Sequence, residues 1–127
     1  MNANDRSIVT LVMAGHGLVH TYELSIPIFM TVWLTEMGVS EAFLGGLVGA
    51  GYFLFGAGAL PGGILADRFG SRRLIAVCFV GMGGAFVLLG LLPGLWGLGA
   101  ALLAWGAAAS VYHPAGLSLI STGVRQR

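Results

Sequence analysis

Charge is the scarcest thing in this chain of 127 residues: Asp, Glu, Lys and Arg together make up 9% of it. A soluble domain devotes roughly a quarter of its residues to those four types, because they cover its water-facing surface. The shortage excludes a cytosolic enzyme, a nucleic-acid binder and a disordered segment. The net charge of +1 gives a polyanion nothing to hold. Cysteine is nearly absent as well. Cys78 stands alone, so no internal disulfide is open to the chain and its redox compartment stays unread. The alternation of a membrane β-strand is missing too. Neither an enzyme nor a cofactor carrier is expected.

What the chain has in excess is apolar surface: 57% of its residues are hydrophobic, 22 are Gly, and the mean hydropathy is +0.90. The few charges fall in blocks. Between the blocks lie four runs, Ile8 to Leu34, Phe43 to Ala66, Leu74 to Leu92 and Trp96 to Ile120, of which only the first holds a charge, Glu23. Each reaches about 19 residues or more, enough to cross a hydrocarbon core of about 30 Å as a helix. Lipid offers no hydrogen bonds, so each backbone must satisfy its own and each run is expected to be helical. The fold class expected is an all-α membrane protein with four transmembrane helices at about 8–34, 43–66, 74–92 and 96–120. The first run does not read as a signal peptide. It is too long, it has no basic leader beyond Arg6, and no small-x-small cleavage site ends it.

Orientation follows from the arginines. With four spans, the N-terminus, the middle loop and the C-terminus share one side. That side holds Arg6, Arg68, Arg72, Arg73, Arg125 and Arg127, which are all six basic residues. The positive-inside rule puts both ends of the segment in the cytoplasm, in a plasma or inner membrane. Trp33 and Trp96 then fall at the opposite interface, where amphipathic rings settle, and Trp105 reads as plain packing. Ser7, Ser40 and Ser71 are the expected helix N-caps, and Gly38 and Gly70 the residues just past helix ends.

The middle loop reads Gly63-Ile64-Leu65-Ala66-Asp67-Arg68-Phe69-Gly70-Ser71-Arg72-Arg73. Gly62 and Gly63 permit close helix approach, and Gly70 permits a tight turn. Asp67 is placed to accept from a helix N-terminus or to pair with an arginine, and Arg72 and Arg73 face an anionic leaflet. By charge alone this is an ordinary inside loop. The spacing says more. The segment resembles the signature loop between helices 2 and 3 of the major facilitator superfamily, roughly G-x-L-A-D-R-x-G-R-K. Gly63, Leu65, Ala66, Asp67, Arg68, Gly70 and Arg72 match. Ser71 departs where a basic residue is common, and Arg73 restores the charge one place later.

That resemblance implies secondary transporters of two six-helix halves, with a central site near mid-membrane and one half rocking against the other. It implies that Asp67 and Arg68 belong to a cytoplasmic gate that contacts the other half. The chain corresponds to part of the N-terminal half, so its missing C-terminal helices or a second copy are expected partners, beside the bilayer, a small-molecule substrate and protons.

Polar groups inside the runs mark the expected site. At 100° per residue, His16, His20, Glu23 and Pro27 fall within an arc of about 60°. A charge near the bilayer centre costs at least roughly 2.5 kcal/mol, so Glu23 should face a cavity or a partner. Pro27 is expected to kink the helix beside this stripe. His113, in Tyr112-His113-Pro114-Ala115-Gly116, falls at the depth of His16, in a helix that runs the opposite way. The resemblance implies that both their helices line the central cavity. His16, His20, Glu23 and His113 are therefore the expected substrate and proton pathway, since His titrates near neutrality. The alternative for each His is a plain interhelical hydrogen bond. His16-x-x-x-His20 also has metal-ligand spacing, but only Glu23 is at hand as a third ligand, so no metal site is expected.

Proton-driven drug antiporters of the family often carry an Arg in helix 4. None lies between Arg73 and Arg125. The Tyr-His-Pro-Ala-Gly stretch looks more like the fosmidomycin-resistance-like branch. Small residues at four-residue spacing, Gly45/Gly49, Gly58/Gly62, Gly81/Ala85 and Gly106/Ser110, are expected to serve close packing. Two other readings stay open: a complete four-helix dimer resembling small multidrug resistance proteins, and a truncated membrane protein that transports nothing. The first leaves the Asp67-Arg68 loop unexplained.

Overall fold

The computed structural model describes residues 2–124, so Arg125 and Arg127, which entered the charge argument, lie outside the described residues. The described residues form six helices and no strand: α1 Ala3–Met37, α2 Glu41–Ala57, α3 Ala59–Phe69, α4 Ser71–Leu91, α5 Gly94–Ala109 and α6 Tyr112–Gly123. They make four rods, because α2 and α3 are a pair bent by 46° at Gly58, and α5 and α6 are parted only by Ser110 and Val111. By length and composition α4 and the α5–α6 rod are fit to cross a membrane, and the bent α2–α3 pair makes a third such span. The first rod has length to spare at 35 residues, but its polar stripe lowers its hydropathy. Four uniformly apolar spans are thus an oversimplification.

Both interruptions have the same cause. Pro61 has no amide hydrogen for the Ala57 carbonyl, and Pro114 has none for Ser110. α2 ends at Ala57, and α5 ends one residue before Ser110. The two interruptions touch. A side chain added at Gly58 would collide with Ser110, and one at Gly62 would meet Pro114 Cγ at 3.0 Å and Val111 Cα at 3.2 Å. α1, in contrast, continues as helix through Pro27.

The α5–α6 rod is the centre of the bundle, in contact with α1, α2, α3 and α4. Glycine makes this possible. A Cβ at Gly51 would stand 2.9 Å from the Leu102 carbonyl oxygen, and one at Gly106 would overlap the carbonyl of Gly51, so α2 and α5 cross with backbones in contact. A Cβ at Gly81 would lie 2.7 Å from that of Ala108, which brings α4 in as closely. Gly45 and Gly49 meet nothing within 4 Å, so that small-residue pair packs no helix among the described residues.

The caps differ in part from expectation. Asn2, not Ser7, caps α1: its side chain accepts from the Asp5 amide at 2.8 Å, and Asp5 returns the bond in a capping box. Ser7 lies inside the helix and donates to the Ala3 carbonyl. Ser40 caps α2 through the Phe43 amide, and Gly38 ends α1 in the left-handed region at φ 61°. Gly70, at φ 87°, joins α3 to α4, while Ser71 turns its hydroxyl to Ser118 of α6 at 3.0 Å rather than capping α4. Trp96 is almost fully exposed, whereas Trp33 is buried, stacked on Phe29.

Candidate functional site

α1 meets α6 along a seam of small and large residues. A Cβ at Gly15 would lie 2.6 Å from the Tyr112 hydroxyl, Val12 rests on Gly116, and Ile8 on Gly123. The Tyr112 hydroxyl donates to the Val12 carbonyl at 2.5 Å, fully buried. That bond fixes the register of the seam. It lies one helical turn from His16, and the residue after Tyr112 is His113, so the two histidines are brought side by side.

Ring centroids of His16 and His113 are 5.3 Å apart, of His16 and His20 4.5 Å, and of His20 and His113 5.8 Å. His20 Nδ1 lies 2.5 Å from Glu23 Oε2, the one contact between a basic and an acidic side chain among the described residues and an ion pair when His20 is protonated. All four polar residues expected in the pathway therefore stand together. They are not sealed in: His16 and His113 are exposed, and the side chains of His20 and Glu23 are 40% and 21% exposed.

Aromatic side chains complete a circuit around this group. Phe55 of α2 lies 5.8 Å from the His113 ring and 5.7 Å from Trp105 of α5. Trp105 meets the Tyr52 ring edge to face at 5.3 Å, and the Tyr52 hydroxyl donates to the Glu23 backbone carbonyl at 2.9 Å. The circuit runs Glu23, His20, His113, Phe55, Trp105, Tyr52 and back to Glu23. It draws on α1, α2, α5 and α6. Tyr52, Phe55 and Trp105 carry no charge, so the sequence marks none of them for this role. Trp105 does pack, as expected, but it packs against the site, and its buried indole N–H has no partner among the described residues.

The chemistry open to such a group is proton exchange. An imidazole beside a carboxylate can hold one proton between two bases, and two further imidazoles extend the path. No three His, Cys, Asp or Glu among the described residues are arranged to hold a metal ion. A hollow of about 490 Å³ lies elsewhere, at the Phe43 and Trp96 ends of α2 and α5, and is lined only by apolar residues and glycine. None of its lining residues is ionisable, so the open polar cluster is the better candidate for proton exchange.

The middle loop occupies α3 and the start of α4. A Cβ added at Gly63 would lie 4.0 Å from Pro114 Cβ, and Gly70 forms the turn. Asp67, Arg68, Arg72 and Arg73 are all exposed. Asp67 forms no ion pair among the described residues, contrary to one expectation for it, because α3 and α4 point their charged residues outward. Arg68 instead lies over the Phe69 ring at 5.7 Å.

Residues 11–124 match the family model described as the Major Facilitator Superfamily. The chain belongs to the major facilitator superfamily. It is a membrane-embedded, multi-pass member of a transporter family. The puromycin resistance protein pur8 of Streptomyces alboniger is 37% identical over 87 residues, which cover 68% of this chain and 17% of that protein. The matched segment thus spans about a sixth of that relative's length. No solved structure matches the chain. Membership accounts for the Asp67-Arg68 loop, which the small-multidrug-resistance reading left unexplained.

Proposed function

We propose that this chain is part of a secondary active transporter that moves a small solute or drug by alternating access, coupled to protons. The observation that carries the reading is the convergence of His16, His20, Glu23 and His113 on one open face of α1 and α6 in a major facilitator chain. Ionisable groups at membrane depth are costly, and they persist where an ion or substrate uses them. Glu23 and His20 take up and release the proton, and His16 and His113 lie on its path. Further helices complete the cavity, from the same polypeptide or a second copy, and the exposed face of the cluster is where the substrate enters.

In this reading Gly63, Asp67, Arg68, Gly70, Arg72 and Arg73 form the cytoplasmic gate. The exposure of all four charges, with Asp67 unpaired among the described residues, leaves them available to a second half of the transporter. Both ends of the segment then lie in the cytoplasm, in a plasma or inner membrane. The fosmidomycin-resistance-like branch remains the proposed subgroup on the Tyr112-His113-Pro114 stretch, while the name of the relative makes puromycin the first drug to try.

The test is drug accumulation in puromycin-sensitive cells that express the protein. Lower accumulation than in control cells, restored by a protonophore, supports proton-driven export. Accumulation equal to the control, or lowered in a way the protonophore leaves intact, contradicts it for this drug and this coupling.

A further inference from the structure

Glu23 is held from two directions. Its carboxylate meets His20 on its own helix, and its backbone carbonyl accepts from the Tyr52 hydroxyl of α2 at 2.9 Å. The second contact is the unusual one. In a regular helix the Glu23 carbonyl accepts from the amide of residue 27. Residue 27 is proline, which has no amide hydrogen and whose ring crowds the carbonyl four residues earlier. The chain loses a donor in the same way before Pro61 and Pro114, and there the helices are interrupted. At Pro27 the helix continues from Ala3 to Met37. What distinguishes this position is the hydroxyl. A carbonyl orphaned by proline inside a membrane is costly unless another group donates to it, and here the group that does so is a side chain of the neighbouring helix α2.

We propose that Tyr52 is a positioning residue for the Glu23 site: its hydroxyl replaces the hydrogen-bond donor that Pro27 lacks, and so fixes from α2 the stretch of α1 that aims Glu23 at His20. Trp105 holds the Tyr52 ring edge to face at 5.3 Å, so α5 in turn aims the hydroxyl. The depth and direction of Glu23 are then set by how α2 packs on α1. Movement of α2 away from α1 breaks the bond and frees the joint at Pro27. The functional consequence rests on Glu23 as the proton site. The replacement of one donor by another does not.

Residue 27 supplies the control. Pro27→Ala gives that position an amide, which can satisfy the Glu23 carbonyl from within α1. The proteins to compare are the wild type, Tyr52→Phe, Pro27→Ala and the double variant, each purified as the full chain in lipid vesicles. The first readout is the thermal midpoint. The second is the pH profile of Glu23 labelling by an apolar carbodiimide, which reacts with the protonated carboxyl and is located by peptide mass spectrometry. The titratable groups around Glu23 are His20, which meets its carboxylate, His16 of α1 and His113 of α6, whose rings stand against His20, and Tyr52 of α2, and all but Tyr52 are kept in every variant.

Tyr52→Phe should lower the thermal midpoint and change the labelling rate at a fixed pH by at least about threefold, the equivalent of half a pH unit. The double variant should return to the values of Pro27→Ala alone. Three results overturn the proposal: Tyr52→Phe that matches the wild type, a double variant as impaired as Tyr52→Phe, which would give the hydroxyl a role that an amide at residue 27 cannot fill, or a wild-type Glu23 that resists labelling at every pH. None of these readouts uses transport. If Glu23→Gln left proton-driven transport intact, the proton-site reading would fall, while the cycle at residues 27 and 52 would still decide this one.

Discussion

His20 Nδ1 lies 2.5 Å from Glu23 Oε2, one turn along the same helix, with the His16 and His113 rings within 6 Å of the His20 ring. A carboxylate in that setting has a base beside it and a route for its proton. Glu23→Gln preserves the shape and removes the ionisation. Coupling between two ligands of one protein is typically worth about 1–3 kcal/mol, or about 5–150-fold in affinity. The expected outcome is a loss of that order in the effect of pH on drug binding, measured by titration of drug into the purified protein at two pH values. An unchanged pH effect would assign the coupling to other groups.

The contact between the two helix interruptions gives a prediction about stability. Gly58→Ala puts a methyl group into Ser110. Overpacking of this kind costs about 1–3 kcal/mol, and thermal denaturation in detergent should show it. Ser110→Gly removes the two nearest of the three atoms in the way and leaves the Leu54 carbonyl oxygen at 2.9 Å, so the double variant should recover part of the loss. Strictly additive effects would mean that the two interruptions are not in contact.

Tyr112→Phe tests the α1–α6 seam. It deletes one buried hydrogen bond, to the Val12 carbonyl, and leaves the packing against Gly15 largely in place. Such a bond contributes about 0.5–1.5 kcal/mol. A loss of stability of that size, seen as a lower thermal midpoint, is expected, with a weaker dependence of transport on His113, whose position next to His16 the bond secures.

The gate makes the opposite prediction. Asp67 is exposed and unpaired among the described residues. Substitutions at such positions usually change stability by no more than about 0.5 kcal/mol. Asp67→Asn should therefore leave the thermal midpoint where it is and still slow transport. A variant that loses stability instead would place Asp67 in the fold of this segment rather than in a gate.

The sequence displays the helical runs and the polar stripe because hydropathy and the 3.6-residue period are properties of the chain itself. His16, His20 and Glu23 were legible for that reason. His113 needed the resemblance to set its helix beside theirs. The interruptions were hidden, although Pro61 and Pro114 sit in plain view: an apolar run looks the same whether or not one carbonyl in it has lost its donor. Tyr52, Phe55 and Trp105 were hidden because their role depends on which helices meet. The sequence carries one partial signal: Pro27 orphans the Glu23 carbonyl, which calls for another donor without naming Tyr52. The α1 cap differs from the expected Ser7 because the helix begins upstream of the apolar run, at the Asn2-x-x-Asp5 box.

The central claim is that the cluster of Glu23 and three histidines couples protons to drug movement. Puromycin uptake into inverted membrane vesicles carrying the wild type, Glu23→Gln or His113→Ala, with and without an imposed proton gradient, tests it most directly. The account predicts gradient-driven uptake by the wild type, none by Glu23→Gln and a reduced rate for His113→Ala. Gradient-driven uptake at the wild-type rate in both variants would contradict it.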